Sequence, residues 1–388
     1  MVQVLKQGQS SITMKCTLAI TMDCNLSCDY CYINKHSSIM DLSTAEKIID
    51  FIFENALEEE RTEIGFFGGE PLLEFDLIRA ITGFIQSHPS FDPDQVTISV
   101  TSNGTIYSRE IEEFLLLNKI VFCVSCDGPP IIQNKYRHFP DGSGSSAIVE
   151  KNIKQALGVF PLIPVNAVYS PENVSSLPFV LDYLCDLGIS NIYLNPNISA
   201  SWTQKHVGVL KSIFDIIGQK YLDYYLKKEP KFINLIDSKI TVIFRGGYQP
   251  NERCRIGKGE FAFAPSGNIY PCEKLIGSDD GVTHCLGNIN NNSYINEQCH
   301  LCNIKSGEAI NIECQTCLLR DYCIHWCTCM NYYGTGKYNL VSPFICASEK
   351  AALKLASQII KDIGNDHLFY LNHVAGTPLL ETMDRPRI

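Results

Sequence analysis

Three thiols fall within eight residues of this sequence, in the stretch Thr21-Met22-Asp23-Cys24-Asn25-Leu26-Ser27-Cys28-Asp29-Tyr30-Cys31-Tyr32. Thiolates are the usual ligands of iron-sulfur clusters and of zinc, and so short a loop can bring three of them onto one face of a metal centre. A [4Fe-4S] cube takes one ligand per iron. Three cysteines therefore leave one iron open to an outside ligand, which makes a substrate or cofactor site rather than a sealed structural one. Taken alone, the triplet also fits a zinc site or reduced thiols in a loop. A second group lies further on. Cys254 is followed after twelve residues by Gly267 and after four more by Cys272; Cys314, Cys317, Cys323 and Cys327 come next, with two, five and three residues between them, and then Cys346. A Cys-x-x-Cys run by itself also suits a zinc ribbon.

Eighteen cysteines in 388 residues is a high count. Met1 to Ser11 is polar and lacks the apolar core of a signal peptide, and no apolar run approaches ~18 residues. The expectation is a reducing cytoplasm without membrane insertion, where cysteines serve as metal or redox ligands. Exposed clusters are attacked by oxygen, so the expected host is anaerobic. A net charge of -10 gives no electrostatic footprint for nucleic acid or for an anionic membrane surface. The nine histidines show no ligand spacing. The length allows two domains or one large one.

The elements that position these residues alternate. Candidate strands are Met14 to Thr21, Glu63 to Phe67, Val96 to Thr101, Ile120 to Ser125, Ile163 to Tyr169 and Ile192 to Leu194. Amphipathic runs separate them. The clearest starts at a Ser43-Thr44-Ala45-Glu46 capping box and places Ile48, Ile49, Ile52, Phe53, Ala56 and Leu57 on one stripe. Others are Phe75 to Gln86, Arg109 to Leu117, Ser145 to Leu157, Val174 to Leu187 and Val207 to Leu226, with Glu349 to Ile363 near the end. Six β/α units predict a parallel sheet, as a curved partial barrel or a doubly wound sheet. Past residue 228 the alternation stops, and the cysteine-rich segment is predicted to do without a large apolar core.

Parallel α/β folds build sites from loops at the C-terminal ends of strands. Every unusual motif falls there: Cys24 to Cys31 after the first strand, Gly68-Gly69-Glu70-Pro71 after the second, Ser102-Asn103-Gly104 after the third, and Ser125-Cys126-Asp127-Gly128-Pro129 after the fourth. Paired glycines let backbone approach a ligand closely, and a carboxylate beside them accepts hydrogen bonds from an ammonium.

The cysteine spacing with Tyr30 before its last member, the Gly-Gly-Glu-Pro segment and the later cysteine series together resemble the radical S-adenosylmethionine (radical SAM) enzymes that carry a SPASM auxiliary-cluster domain. The resemblance spans roughly residues 12 to 350. It implies an α/β fold: a partial (β/α)6 TIM-like barrel over residues 1-228, a cysteine-rich iron-sulfur SPASM domain over 229-350, and a helix and tail over 351-388. It implies three [4Fe-4S] clusters. Cys24, Cys28 and Cys31 would hold the one whose open iron chelates SAM. Gly68, Gly69 and Glu70 would hold the SAM amino group, Tyr30 and Leu194 would meet its adenine, and Asn103, Ser125 and Arg137 would complete the cofactor contacts, Arg137 as a fork for the carboxylate. Cys314, Cys317, Cys323 and Cys346 would enclose a distal auxiliary cluster, and Cys254, Cys272 and Cys327 a nearer one. The nearer set is one ligand short, because sulfatase-maturating relatives carry another cysteine where this chain has Phe261 and its neighbours. Cys285, Cys299, Cys302 or Cys329 would fill the vacancy, or a substrate thiolate would.

Glu273 follows Cys272 where the sulfatase-maturating enzymes carry an aspartate base, and burial near a cluster is expected to raise its pKa; the plainer reading is a surface glutamate beside Lys274. Gln133-Asn134 stands where relatives read His-Asp and receives no role. Cys16, Cys123 and Cys185 sit in apolar contexts as core residues, and Cys126 is unplaced. The implied activity is reductive cleavage of SAM to a 5'-deoxyadenosyl radical that takes hydrogen from a peptide or protein substrate. The product would be a thioether or carbon-carbon crosslink in a ribosomally made precursor. The electron donor would be a flavodoxin or ferredoxin. Formylglycine generation on a sulfatase is the alternative, disfavoured by Glu273 and by Cys323-Ile324-His325-Trp326-Cys327, which lacks the glycines common there. A non-catalytic metal scaffold is a second alternative.

Overall fold

The computed structural model describes residues 13-56, 61-254, 257-291 and 310-364, with Asp366, Phe369 and His373. Strands Thr13–Thr21 (β1), Arg61–Gly68 (β2), Val96–Ser102 (β3), Val121–Ser125 (β4), Pro164–Tyr169 (β5) and Asn191–Pro196 (β6) lie side by side in chain order, each pair parallel. Helices Leu42–Asn55 (α1), Phe75–Ser87 (α2), Arg109–Leu117 (α3), Pro130–Tyr136 (α4), Ser146–Leu157 (α5) and Leu177–Asp186 (α6) make the crossovers, and Gln204–Leu226 (α7) follows β6. A doubly wound sheet reverses its strand order at a switch point. This order runs straight through, so the sheet is wound one way, as in the partial barrel.

The faces of β1 show why. Met14, Cys16, Leu18 and Ile20 are buried in the main core with Ile48, Ile49 and Ile52 of α1. On the opposite face Lys15 and Thr17 border an open cavity with Glu63 and Gly65 of β2 and Ser99 of β3. Large apolar residues thus seal the helix side, and small or polar ones leave room on the inner side. The start of α1 differs from the sequence reading. Asp41, not Ser43, caps it, its carboxylate accepting from Thr44 N at 2.8 Å, Ser43 Oγ at 2.7 Å and Thr44 Oγ1 at 2.9 Å. A carboxylate with two acceptor oxygens outcompetes a hydroxyl for the free N–H groups.

Beyond residue 228 the sheet continues. Phe232–Ile233 (β7) pairs parallel with β6 and leads into Asn234–Arg245 (α8); Glu260–Phe263 (β8) pairs parallel with β1; Asn268–Tyr270 (β9) and Gly287–Asn288 (β10) add antiparallel neighbours, giving ten strands. This segment does have a core. Phe261, Phe263, Ile269, Leu286 and Ile289 join the main one, and Pro343–Ile363 (α11) packs on α7 and α8, with Leu355 against Gly218 of α7 and Phe344 stacked on Trp202. The strands are four residues or fewer, too short for alternation to show in sequence. Ile312–Gln315 (α9) and Thr328–Thr335 (α10) carry cysteines between them. No helix among the described residues is long and apolar enough to cross a membrane.

Candidate metal centres and their surroundings

The Cys24 to Cys31 loop leaves the C-terminal end of β1 and is fastened at several points. Asp23 turns the chain, accepting from Cys24 N at 2.8 Å. Ser27 N and Asp29 N donate to the carbonyls of His138 and Tyr136 at 2.7 and 3.1 Å. Gly69 N and Glu70 N donate to the carbonyls of Thr21 and Asp23, both at 2.8 Å. The paired glycines make this approach possible: a Cβ at Gly69 would lie 1.9 Å from the Asp23 carbonyl oxygen, and one at Gly68, where φ is 139°, 2.2 Å from that of Thr21. The backbone that the glycines admit is therefore the cysteine loop itself. Asn103 reaches the same loop, its amide nitrogen 2.8 Å from Asn25 Oδ1 and 3.7 Å from Cys24 Sγ.

Two buried carboxylates hold the surroundings. Glu70 is fully buried and accepts from Ser102 Oγ at 2.8 Å, Asn103 N at 2.7 Å and Leu72 N at 3.1 Å. Burial pushes its pKa up to about 7 against these hydrogen bonds. Asp127 is the second. Its Oδ1 accepts from Arg137 Nε at 3.0 Å and Val168 N at 2.9 Å, its Oδ2 from the Tyr30 hydroxyl, and the Arg137 guanidinium lies 5.2 Å from the centre of the Tyr30 ring. Gln133 ties the Asp127 N–H, at 2.8 Å, to Ser145. Sequence reasoning assigned nothing to Asp127 or Gln133; the signal for Asp127 was its place in the fourth strand-end motif. Ser125 is half-buried at the end of β4, and Leu194 is buried on β6. Cys126, unplaced by sequence, lies in the core.

Of the loop cysteines, Cys24 and Cys28 are half-buried and Cys31 is exposed. Burial raises the Cys24 thiol to about 11 and raises Cys28 as well, with Arg137 and Lys35 opposing the shift at Cys28. A metal that binds them must displace protons, and the cations beside Cys28 favour the thiolate.

The later cysteines gather in two places. Cys314, Cys317, Cys323 and Cys346 line one small cavity with Arg320, His325 and Glu349. The Lys239–Glu349 ion pair, 2.6 Å long and buried, stands beside it, and Glu349 also accepts from Ile324 N at 2.9 Å. Cys254, Cys272 and Cys327 line a second cavity of about 360 Å³, which also contains Cys329 and the inner-face residues of β1 to β3. Both sets are rich in sulfur, the soft donors that suit iron-sulfur centres. Cys285 donates to the Gly287 carbonyl at 3.1 Å, packs against the small apolar cluster that contains Ile33 and Tyr270, and is not among the lining residues. Cys299 and Cys302 lie outside the described residues. Cys16 is buried as expected, whereas Cys123 and Cys185 are half-buried.

Glu273 departs from expectation. Burial alone would raise its pKa, but the Lys274 ammonium paired with it holds the carboxyl down to about 2. Such a carboxylate is a weak base near neutrality.

Residues 18–194 match the Radical SAM superfamily. Among curated proteins the chain is 26% identical to the uncharacterized protein MJ0907 of Methanocaldococcus jannaschii, over 72% of this chain and 89% of that one. It is 25% identical to a cysteine-type anaerobic sulfatase-maturating enzyme of Clostridium novyi, over 65% and 71%. Among solved structures, native anSMEcpe with bound AdoMet and Cp18Cys peptide superposes with a TM-score of 0.75 at 19% identity, covering 90% of this chain and 98% of that one. Streptococcus suis SuiB bound to precursor peptide SuiA gives 0.59 at 16% identity, covering 87% and 76%.

Proposed function

We propose, from the radical SAM domain that residues 18–194 form, that this chain is a peptide-modifying radical SAM enzyme with three [4Fe-4S] clusters. The observation that carries the reading is the fastening of the Cys24/Cys28/Cys31 loop by residues from the ends of β2, β3 and β4, the last through Tyr30 on Asp127, which gives the three thiols and their neighbours one fixed mouth. Cys24, Cys28 and Cys31 would hold the SAM-binding cluster. Tyr30, Asn103, Ser125, Arg137 and Leu194 would border the cofactor, with Gly68, Gly69 and Glu70 supporting the loop against it. When bound, reduced cluster and SAM together supply a radical that removes hydrogen from an unactivated carbon. The residues of this chain bind, orient and exclude water.

Residues 1-228 would form the catalytic barrel and 229-350 the auxiliary-cluster region. Cys314, Cys317, Cys323 and Cys346 would hold a distal cluster, and the Cys254, Cys272 and Cys327 cavity a nearer one. Peptide is the substrate class supported by the fold likeness to anSMEcpe and SuiB, both solved with peptides. Within that class we favour a thioether or carbon-carbon crosslink over formylglycine. Glu273, held ionised by Lys274, stands where the sulfatase-maturating enzymes have their aspartate base.

The test is anaerobic incubation with SAM, dithionite and a small peptide encoded beside the gene, followed by mass spectrometry. The expected product has lost two hydrogens and carries no aldehyde reactive toward a hydrazide. A hydrazide-reactive product would establish formylglycine instead, and absence of 5'-deoxyadenosine would reduce the chain to a scaffold.

A further inference from the structure

The nearer auxiliary set counts three cysteines by position in the sequence, which leaves one ligand unassigned. In the structure the neighbourhood is not short of sulfur. Cys329 is buried on the first turn of α10, its Sγ 3.7 Å from Cys327 Sγ. Cys272 lines the same cavity. The residue between the two helix-start cysteines, Thr328, donates its hydroxyl to Cys254 Sγ at 3.6 Å. All four cysteines therefore stand on the wall of one cavity.

The strand on the other side, β8, lends the cavity a carboxylate, Glu260, a harder donor than the four thiols. Phe261 is buried in the main core, with Phe51 edge-on at 5.6 Å. No thiol stands on β8, whose sequence is Glu-Phe-Ala-Phe.

From this juxtaposition we propose that Cys329 is the fourth protein ligand of the Cys254/Cys272/Cys327 centre. The inference rests on the auxiliary-cluster reading above and specifies its coordination. Protonated, the sulfurs of Cys327 and Cys329 touch. Bound to different irons they separate, which rotation about χ1 of either residue permits. Each thiol releases its proton on ligation, and four thiolates then complete a [4Fe-4S] cube with no iron left over. A substrate thiolate therefore has no vacant iron at this centre, and substrates without cysteine are not excluded by it. The centre is left with electron transfer as its chemistry.

The experiment uses the full chain with Cys24, Cys28 and Cys31 all replaced by alanine, so that only auxiliary clusters form. It is reconstituted anaerobically and measured for iron content, Mössbauer and EPR spectra, and reduction potential, with and without added 2-mercaptoethanol. Roughly eight irons and spectra indifferent to the thiol are expected. Adding Cys329→Ala should either remove about four irons or leave a cluster whose spectrum now shifts with 2-mercaptoethanol. Cys329→Ser, closer in size and suited to keeping the fold, should shift the potential of one cluster and leave the other unchanged. Cys285→Ala and the double variant Cys299→Ala/Cys302→Ala should change neither iron nor spectra.

A starting spectrum that already responds to the thiol, Cys329 variants with unaltered iron and spectra, or a lost ligand on replacing Cys285, Cys299 or Cys302 would each overturn the assignment. A starting protein with about four irons or fewer would overturn the two-auxiliary-cluster reading itself, and the Cys329 assignment with it.

Discussion

The two cysteine-bearing regions are held in different ways. The Cys24 to Cys31 loop is local in sequence and is clamped from outside, by Gly69, Glu70 and Asn103 from two other strand ends and by the carbonyls of Tyr136 and His138. Each clamp is a hydrogen bond from the ends of the parallel strands or the loops that follow them. The later cysteines are scattered from Cys254 to Cys346, and Cys314, Cys317 and Cys323 sit on or beside short pieces, the four-residue α9 and the single turn at Arg320–Tyr322, neither with a buried residue. Beside these three and Cys346 stands the buried pair Lys239–Glu349, which joins α8 to α11. The loop is organised by the strand ends around it; the Cys314/Cys317/Cys323/Cys346 set leans on α8 and α11. Preorganisation suits a site that accepts and releases a cofactor, the role proposed for the first region, since little ordering is left for binding to cost.

The largest expected effect separates the regions outright. Replacing Cys24, Cys28 and Cys31 by alanine should abolish 5'-deoxyadenosine formation while roughly eight of about twelve irons remain. Retention of cleavage activity would contradict the assignment of the loop. Two buried charges give the next contrast. Asp127→Ala leaves the Arg137 guanidinium buried without its partner, and Glu349→Gln does the same to the Lys239 ammonium; each should cost about 3–5 kcal/mol in denaturant unfolding of the holoprotein. The consequences should diverge. Asp127→Ala should weaken SAM binding and spare auxiliary absorbance, whereas Glu349→Gln should lower iron at the Cys314/Cys317/Cys323/Cys346 set and spare SAM binding. Identical losses in both variants would mean that the regions fold as one unit.

Glu70→Gln comes next. Three donors converge on its two carboxylate oxygens, and an amide turns an NH2 toward at least one of them, for about 1–3 kcal/mol of stability and a weaker SAM affinity by calorimetry. Tight SAM binding with stability unchanged would mean that Glu70 supports neither loop nor cofactor. The smallest effect belongs to Asp41→Ala, which removes the α1 cap for about 1 kcal/mol and should leave both cysteine regions spectroscopically unchanged.

Much of this was legible in the chain. Arg109 to Leu117 is a helix over the predicted residues, and the six strands fall within two residues of their expected starts and three of their expected ends. These features depend on the period of apolar residues, which is local. Sequence also placed each motif at a strand end. It misread the α1 cap, because Asp41 and Ser43 both satisfy a cap pattern and only the fold shows which one meets Thr44 N. It also misread the segment beyond residue 228, where Phe261 and Phe263 become core only because β8 pairs with β1.

The sequence by itself determined the strand-loop-helix alternation and the three-thiol loop after the first strand, since periodicity and close spacing act between near neighbours in the chain. Only the tertiary structure decided which distant groups share a cavity. It set Glu70 against Ser102 and Asn103, Asp127 against Arg137 and Tyr30, and Cys329 in one cavity with Cys272. The physical reason is that such contacts follow from strand order and from the packing of α10 and α11, and these are fixed by burial over the whole chain, not by the residues that meet.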